Sequence, residues 1–366
     1  MPASEVNQAG HELQMRELPR DGMREFFVTR ARANAAGLTL AAEHLDRNLA
    51  ASVVAAECFD GADPAGGRAL LRRPGMPVTW VRGETSGDGL GGVHLHAIAD
   101  RHVRPLELDG RMVGALVDGP HAAECLLAGI HTDDVHAPRP EQARDTFERI
   151  ERTLALAGMD FSHVVRTWLF LDDILSWYPD FNRVRTTFFT ERGVFDGLVP
   201  ASTGIGGANL AGAAMVAGVY AVRANSPAVS VQALPSPLQC PALRYGSSFS
   251  RAVEVAMPDV RRVLVSGTAS IDPDGVTAHV GDVYAQTART CDVIAAILDA
   301  RDMGWEDVTR ATAYVRFPQD VGVFERYRTA AGIPPLPVII AHNVICRDDL
   351  LFELEVDAVR TSPGQA

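Results

Sequence analysis

From Phe352 to Ala358 the chain alternates without interruption, Phe352, Leu354, Val356 and Ala358 against Glu353, Glu355 and Asp357. Strand side chains alternate faces with period two, so this segment predicts a strand with one apolar face and one face of three carboxylates. Upstream, Val293, Ile294, Ile297 and Leu298 recur at helical spacing. That pattern stops at Met303-Gly304, ahead of a strand pattern, RATAYVRF, at 310–317. Before residue 120, PVTWVRG (77–83), VHLHAIA (93–99) and RMVGALV (111–117) read as further strands with Gly-rich turns between them.

The Pro- and Ser-rich stretch ANSPAVSVQALPSP (224–237) reads as a linker, and the segments on its two sides repeat each other. Met159, Phe161, Val164 and Arg166 correspond to Met303, Trp305, Val308 and Arg310 at an offset of 144. Phe181, Arg183 and Arg185 correspond to Phe324, Arg326 and Arg328 at 143, and Val222-Arg223 to Val359-Arg360 at 137. Loop-length changes produce such a drift, so the chain carries two copies of one α+β unit. Each copy reads as strand, long helix, strand, second helix and two closing strands, which predicts a mixed sheet with helices packed on one face. The expected division is an N-terminal unit over 1–225, its sheet extended by the early strands, and a second unit over 226–366. A cleft lies between them.

Duplication supplies an internal comparison. At the offset of 137, Cys346 and Arg347 fall opposite Asn209 and Leu210, Glu353 opposite Val216, and Glu355 opposite Gly218. Had the glutamates only solubilised a strand, the other copy would have little reason to be apolar there. The acidic face is therefore expected to line the cleft. RYGSSFSRA (244–252), with Arg244, Tyr245 and Arg251, is expected to feed the same cleft. So is AYVRFP (313–318), whose Tyr314 and Arg316 stand two apart on one strand face, with Asp172 as the first-copy counterpart of Arg316. Guanidinium forks bind carboxylates bidentately, so these arginines together suit a small dianion.

Charge and composition narrow the partners. A net charge of −12 and the absence of a Lys/Arg block speak against nucleic acid or an anionic membrane as the main partner. Any anionic substrate must be held by local arginines against the overall field. The cysteines (Cys58, Cys125, Cys240, Cys291 and Cys346) are odd in number and lack CxxC spacing, which suits a reducing cytoplasm and gives no disulfide framework. The N-terminus is polar and no run of 18 apolar residues occurs, so neither signal peptide nor membrane span is expected. His94 and His96 share a strand face near His102, but no Cys, Asp or Glu completes a metal site at familiar spacing. GIGG at 204–207 lacks the Lys of a phosphate loop, and Ser247 and Ser248 have no ordered His and Asp. No metal or cofactor is expected.

The order VSGTASID, helix, RATAYVRF, FELEVDA resembles the YjgF/RidA (chorismate mutase-like) superfamily, whose small α+β units form trimers with sites at their interfaces. From about residue 75 onward, the doubled unit, RYGSSFSRA and CRDDLLFELE resemble the chorismatases, which carry a tandem of that fold and remove the enolpyruvyl side chain of chorismate. The resemblance implies that Glu353 is the proton donor. Glu355 would raise its pKa or order a water; Arg347, Arg251, Arg316 and Arg244 would serve the substrate carboxylates, and Tyr245 or Tyr314 the ring hydroxyl. Cys346 points to the branch that makes 3-hydroxybenzoate, whereas Ala252 agrees with the hydrolytic branch that makes a dihydroxycyclohexadiene carboxylate. A non-enzymatic RidA-like binding module is the remaining alternative. Ordinary RidA proteins carry an Arg shortly after a proline; LVPASTG (198–204) and PLPVIIAH (335–342) do not, which speaks against imine deamination. Since a second copy can stand in for a neighbouring subunit, a cytoplasmic monomer acting on chorismate is expected. Cys346 and Glu353 lie an odd number of residues apart, so Arg347-Asp348-Asp349 must turn for both to reach one cleft.

Overall fold

The computed structural model describes residues 4–6, 12–60, 66, 76–83 and 90–362. The strands form three six-stranded sheets with one topology. In the first, strands β1 (Ser4–Val6), β2 (Glu12–Arg20), β3 (Met23–Ala31), β4 (Ser52–Phe59), β5 (Val78–Val81) and β6 (Gly92–Ala99) lie in the order β1-β2-β3-β6-β4-β5, with helix α1 (Ala35–Leu49) between β3 and β4. The second contains β7 (Val103–Leu108), β8 (Arg111–Asp118), β9 (Ala122–Ile130), β10 (Val164–Leu171), β11 (Ala201–Gly206) and β12 (Met215–Ala224), with helices α2 (Arg139–Leu156) and α3 (Ile174–Glu191). The third contains β13 (Ser230–Leu234), β14 (Ala252–Ala256), β15 (Val260–Ala269), β16 (Val308–Val315), β17 (Val338–His342) and β18 (Phe352–Thr361), with α4 (Val283–Asp299) and α5 (Val323–Ala330). In each unit the fourth and fifth strands are parallel and the other pairs antiparallel.

The α+β fold expected from the pattern is present, and two expectations change. PVTWVRG and VHLHAIA do not extend the sheet of the first copy: they supply β5 and β6 of a separate unit, and only RMVGALV, as β8, joins the middle sheet. β6 is flanked on both sides by β3 and β4, so its backbone groups are satisfied within the first unit. The stretch read as a linker also holds β13, which pairs with β14 at the sheet edge. No helix among the described residues is long and apolar enough to cross a membrane.

Each sheet packs its helices on one face. Leu38 and Leu45 meet Phe26 and Leu95 in the first unit, Phe147 and Ile150 meet Phe181 and Phe188 in the second, and Ile294 and Leu298 meet Leu354 and Val356 in the third. The other faces pack on one another through Phe27, Val54, Trp168, Tyr220, Leu264, Tyr314 and Ile339. The fifth strand of each unit lies on the third strand of the next, β5 on β9, β11 on β15 and β17 on β3, so the units close into a ring. Three clefts follow from this arrangement, one per junction.

The centre of the ring is charged. By register, Glu25, Glu124 and Arg262 occupy one equivalent position in the three units, opposite Ile98, Val222 and Val359. Arg262 donates to both Glu25 oxygens at 2.8 and 2.9 Å, and Arg20 donates to Glu124 at 2.6 Å and Asp259 at 3.0 Å. Of the paired histidines of β6, His96 joins this network, its Nε2 meeting Glu25 at 2.6 Å, whereas His94 meets Thr29 at 2.9 Å and the Ala311 carbonyl at 3.1 Å. Breaking a buried ion pair is far more destabilising than breaking an exposed one, because the surviving charge stays buried. Arg262→Met should therefore lower the unfolding free energy, measured by urea denaturation, by about 3–5 kcal/mol. A loss below about 1 kcal/mol, the range of an exposed pair, would contradict the buried-network account.

Candidate active site

The three carboxylates of β18 face inward, away from its helices. Glu353, Glu355 and Asp357 are 4%, 0% and 6% exposed, so none of them solubilises a surface. Their surroundings differ. Arg310 and Arg166 each donate to Glu355 at 2.8 Å, Tyr314 donates at 3.2 Å, and the Thr203 hydroxyl also donates to it. Burial opposes ionisation of Glu355, but the two guanidiniums and these donors outweigh it and hold its carboxyl below the ordinary range. Glu353 has no hydrogen-bond or ion-pair partner among the described residues. Burial and then the Glu355 charge push its pKa up to about 8, against a weaker pull from Arg166.

Glu353 opens onto a cavity of about 360 Å³ between the second and third units. From the third unit come Tyr245, Arg251, Gly267, Cys346 and Arg347; from the second come Tyr178, Asn182 and Arg185 of α3, with Ser202 and Gly204 of β11. Positions 178, 182 and 185 fall on one face of a helix, which is why α3 presents them together. The chain bends at Cys346 and turns at Asp348-Asp349 before β18 begins, so the expected turn exists and Cys346 and Glu353 reach the same cavity. Burial, then the Glu353 charge, push the Cys346 thiol up to about 12, and Tyr178 lines the same cavity.

Three arginines line this cavity without an ion pair among the described residues. Arg185 is 2% exposed; it donates to Asn182 at 2.7 Å, stacks over Phe181 and leaves its Nε without a partner. Arg251 donates from Nε and Nη2 to the Cys240 carbonyl at 2.9 and 2.8 Å, and Arg347 donates to the Gly275 carbonyl at 2.9 Å. Both stack over Tyr245. A buried cation without a counter-ion is costly, and a bound anion would relieve that cost.

Of the residues singled out in the sequence, Glu353, Cys346, Arg347, Arg251 and Tyr245 line one cavity. Glu355 lies behind Glu353 in the buried network. Tyr314, Arg316 and Arg244 are not among the lining residues. Tyr314 is fully buried and is used by Glu355. Arg316 does not share a strand face with Tyr314, because β16 ends at Val315; it donates to Asp348 and lines a different cavity with Arg82 and Asp172. Arg244 is exposed on a short turn, Ala242–Tyr245. Sequence reasoning missed Arg185, Tyr178 and Asn182. A signal existed: at the offset of 143, Arg328 corresponds to Arg185 and Glu325 to Asn182. Arg328 pairs with Glu325, whereas the amide of Asn182 leaves the charge of Arg185 uncompensated.

A family model described as Endoribonuclease L-PSP matches residues 128–219. A chorismatase of Streptomyces rapamycinicus is 29% identical over 225 residues, covering 55% of this chain and 65% of that protein. A 3-hydroxybenzoate synthase of Streptomyces hygroscopicus is 27% identical over 227 residues, covering 55% and 64%. The matched stretch thus spans less than two thirds of each relative. A crystal structure of a chorismatase superposes with a TM-score of 0.63 over 84% of this chain and 93% of the other at 21% identity, a likeness of fold. The resemblance read from FELEVDA and CRDDLLFELE is borne out by these matches.

Only a thiolate alkylates readily, so Cys346 should react with iodoacetamide at pH 8 about a hundredfold or more slower than free cysteine. Peptide mapping by mass spectrometry measures that rate at Cys346, and a rate equal to free cysteine would show that the thiol is not held neutral.

Proposed function

We propose that the chain is an enzyme that removes the enolpyruvyl side chain of chorismate, releasing pyruvate, with Glu353 as the acid. The observation that carries this reading is one cavity that combines a carboxyl held protonated near neutrality with three arginines lacking carboxylate partners among the described residues. The curated relatives named as chorismatase and 3-hydroxybenzoate synthase support the same substrate.

Chorismate is an enol ether with two carboxylates. Protonation of its terminal methylene carbon generates a cation stabilised by the ether oxygen, after which the side chain can leave. Transfer to carbon needs an acid that still carries its proton at working pH, and a pKa near that pH serves general acid catalysis best. Glu353 meets this requirement because Glu355, two residues on, takes the guanidiniums. Arg185, Arg251 and Arg347 hold the substrate carboxylates, a role that a chain of net charge −12 must assign to local groups. Tyr245, between Arg251 and Arg347, contacts the ring. The neutral thiol of Cys346 stands near the ring and assists the rearrangement to 3-hydroxybenzoate, a path in which pyruvate and the aromatic acid together account for every atom of chorismate. The hydrolytic route instead adds water and gives the diene diol.

Lactate dehydrogenase-coupled assay of pyruvate tests the reading. Glu353→Gln should lower kcat about a thousandfold, within the usual span for loss of a general acid; near-normal turnover would remove Glu353 from the role. Because the protonated form is active, the rate should be level below about pH 8 and fall tenfold per unit above it. A rate that rises through that range would mean that the carboxylate is the working form. Cys346→Ala should shift product toward the diene diol, read by chromatography; an unchanged product ratio would leave the thiol without a part in the rearrangement.

A further inference from the structure

We infer that Gly267 is the positioning residue for Glu353: the space left by its missing side chain seats the acid's carboxyl, and Thr203 of the second unit fixes that seat. The inference rests on Glu353 being the acid of the proposed reaction.

Three observations converge. First, a Cβ built on Gly267 would overlap Glu353 Oε1 and lie 3.1 Å from Glu353 Cδ and 3.1 Å from Thr203 Cγ2, with no backbone atom among its nearest neighbours. Second, Gly267 is not among the glycines with positive φ, so its backbone conformation is open to any L-residue. Third, the corresponding glycine of the second unit answers to a different constraint. Gly129 N donates to Thr79 Oγ1 at 2.9 Å just as Gly267 N donates to Thr203 Oγ1 at 3.0 Å, which marks the two positions as equivalent. At Gly129, however, φ is +67° and a Cβ would overlap the Val78 carbonyl oxygen, so the backbone itself demands glycine. In that cleft Val216 stands where Glu353 stands in the other. Only at Gly267 does the glycine answer to a side chain, and that side chain is the acid.

Thr203 ties this seat to its surroundings. Its Oγ1 accepts from Gly267 N and from Arg166 Nη2 at 2.7 Å, so its own proton goes to Glu355. One hydroxyl from β11 therefore sets β15 and Glu355, and with them the place in which the Glu353 carboxyl rests.

The test is Gly267→Ala in the full chain. The tip of the flexible Glu353 side chain must move and the Thr203 methyl must yield by a few tenths of an ångström, with no backbone atom in the way, so the variant should fold with a thermal midpoint near wild type. A misplacement of about 1 Å at an acid costs on the order of a hundredfold in rate. The expected result is thus a kcat for pyruvate release lowered about a hundredfold with KM within about threefold of wild type. In the Glu353→Gln background the same alanine should change the residual rate by less than about twofold, since the carboxamide it displaces has no acid proton to misplace. A crystal structure of Gly267→Ala should show the Glu353 carboxyl moved, and this readout needs no turnover. If wild type releases no pyruvate from chorismate, the functional reading fails and the crystal structure alone judges the seat. The inference is overturned by an unmoved carboxyl, by wild-type kcat, by a loss confined to KM, by equal losses in both backgrounds, or by a variant that does not fold.

Discussion

The fold depends on buried guanidinium–carboxylate pairing where three sheets turn their inner faces to one another. Arg20, Arg166, Arg262 and Arg310 meet Glu25, Glu57, Glu124, Glu355, Asp259 and Asp357; five of these seven pairs join two units, and the two from Arg310 to Glu355 and Asp357 lie within the third. Four cations against six carboxylates leave negative charge in excess. Burial therefore pushes some of these carboxyls toward the neutral form: Asp357 and Glu57 are raised, while Glu355, at the meeting point of two arginines, stays low. Pairing of this kind is a weak source of net stability but a strong source of register, because a shifted unit would strand its charges.

That distribution explains why one strand carries three acids. Glu355 takes the guanidiniums, and its retained charge then bears on Glu353, which points into the adjoining cavity with no cation of its own. The arginines that could neutralise Glu353 are committed elsewhere, and those that line the cavity are left for a ligand. Ring closure makes three such clefts, but equivalence of fold is not equivalence of chemistry. At the junction of the first two units Val216 replaces the acid, and Trp80, Met76 and Met112 crowd the space.

Legibility in the sequence followed the strength of the repeat. The second and third units share Met-x-aromatic caps and matching helices, so their strands and the cleft between them could be read from spacing alone. The first unit shows α1 in full, but residues 61–65 and 67–75, where the counterpart of α3 or α5 would fall, lie outside the described residues, and its sequence lacks the Met-x-aromatic cap of the other two units, so spacing alone assigns its strands to the next sheet. The acidic face of β18 was legible because its copy is apolar. Tyr314 and Arg316 were paired by alternation, and alternation fails where a strand ends, here at Val315. Arg185 escaped because a helix was assigned to its own unit, while its polar face serves the neighbour's cavity. The loss of the acid that restrains Arg328 was the trace of that role.

The central claim is that Glu353 carries a proton at neutral pH because Glu355 does not. Infrared difference spectroscopy of wild type against Glu353→Gln, without substrate, measures this directly. The account predicts a carboxylic acid C=O stretch at neutral pH that is absent from the variant and disappears with a midpoint near pH 8. A difference spectrum with no such band at neutral pH, and a Glu353 that ionises in the ordinary carboxylate range, would contradict it.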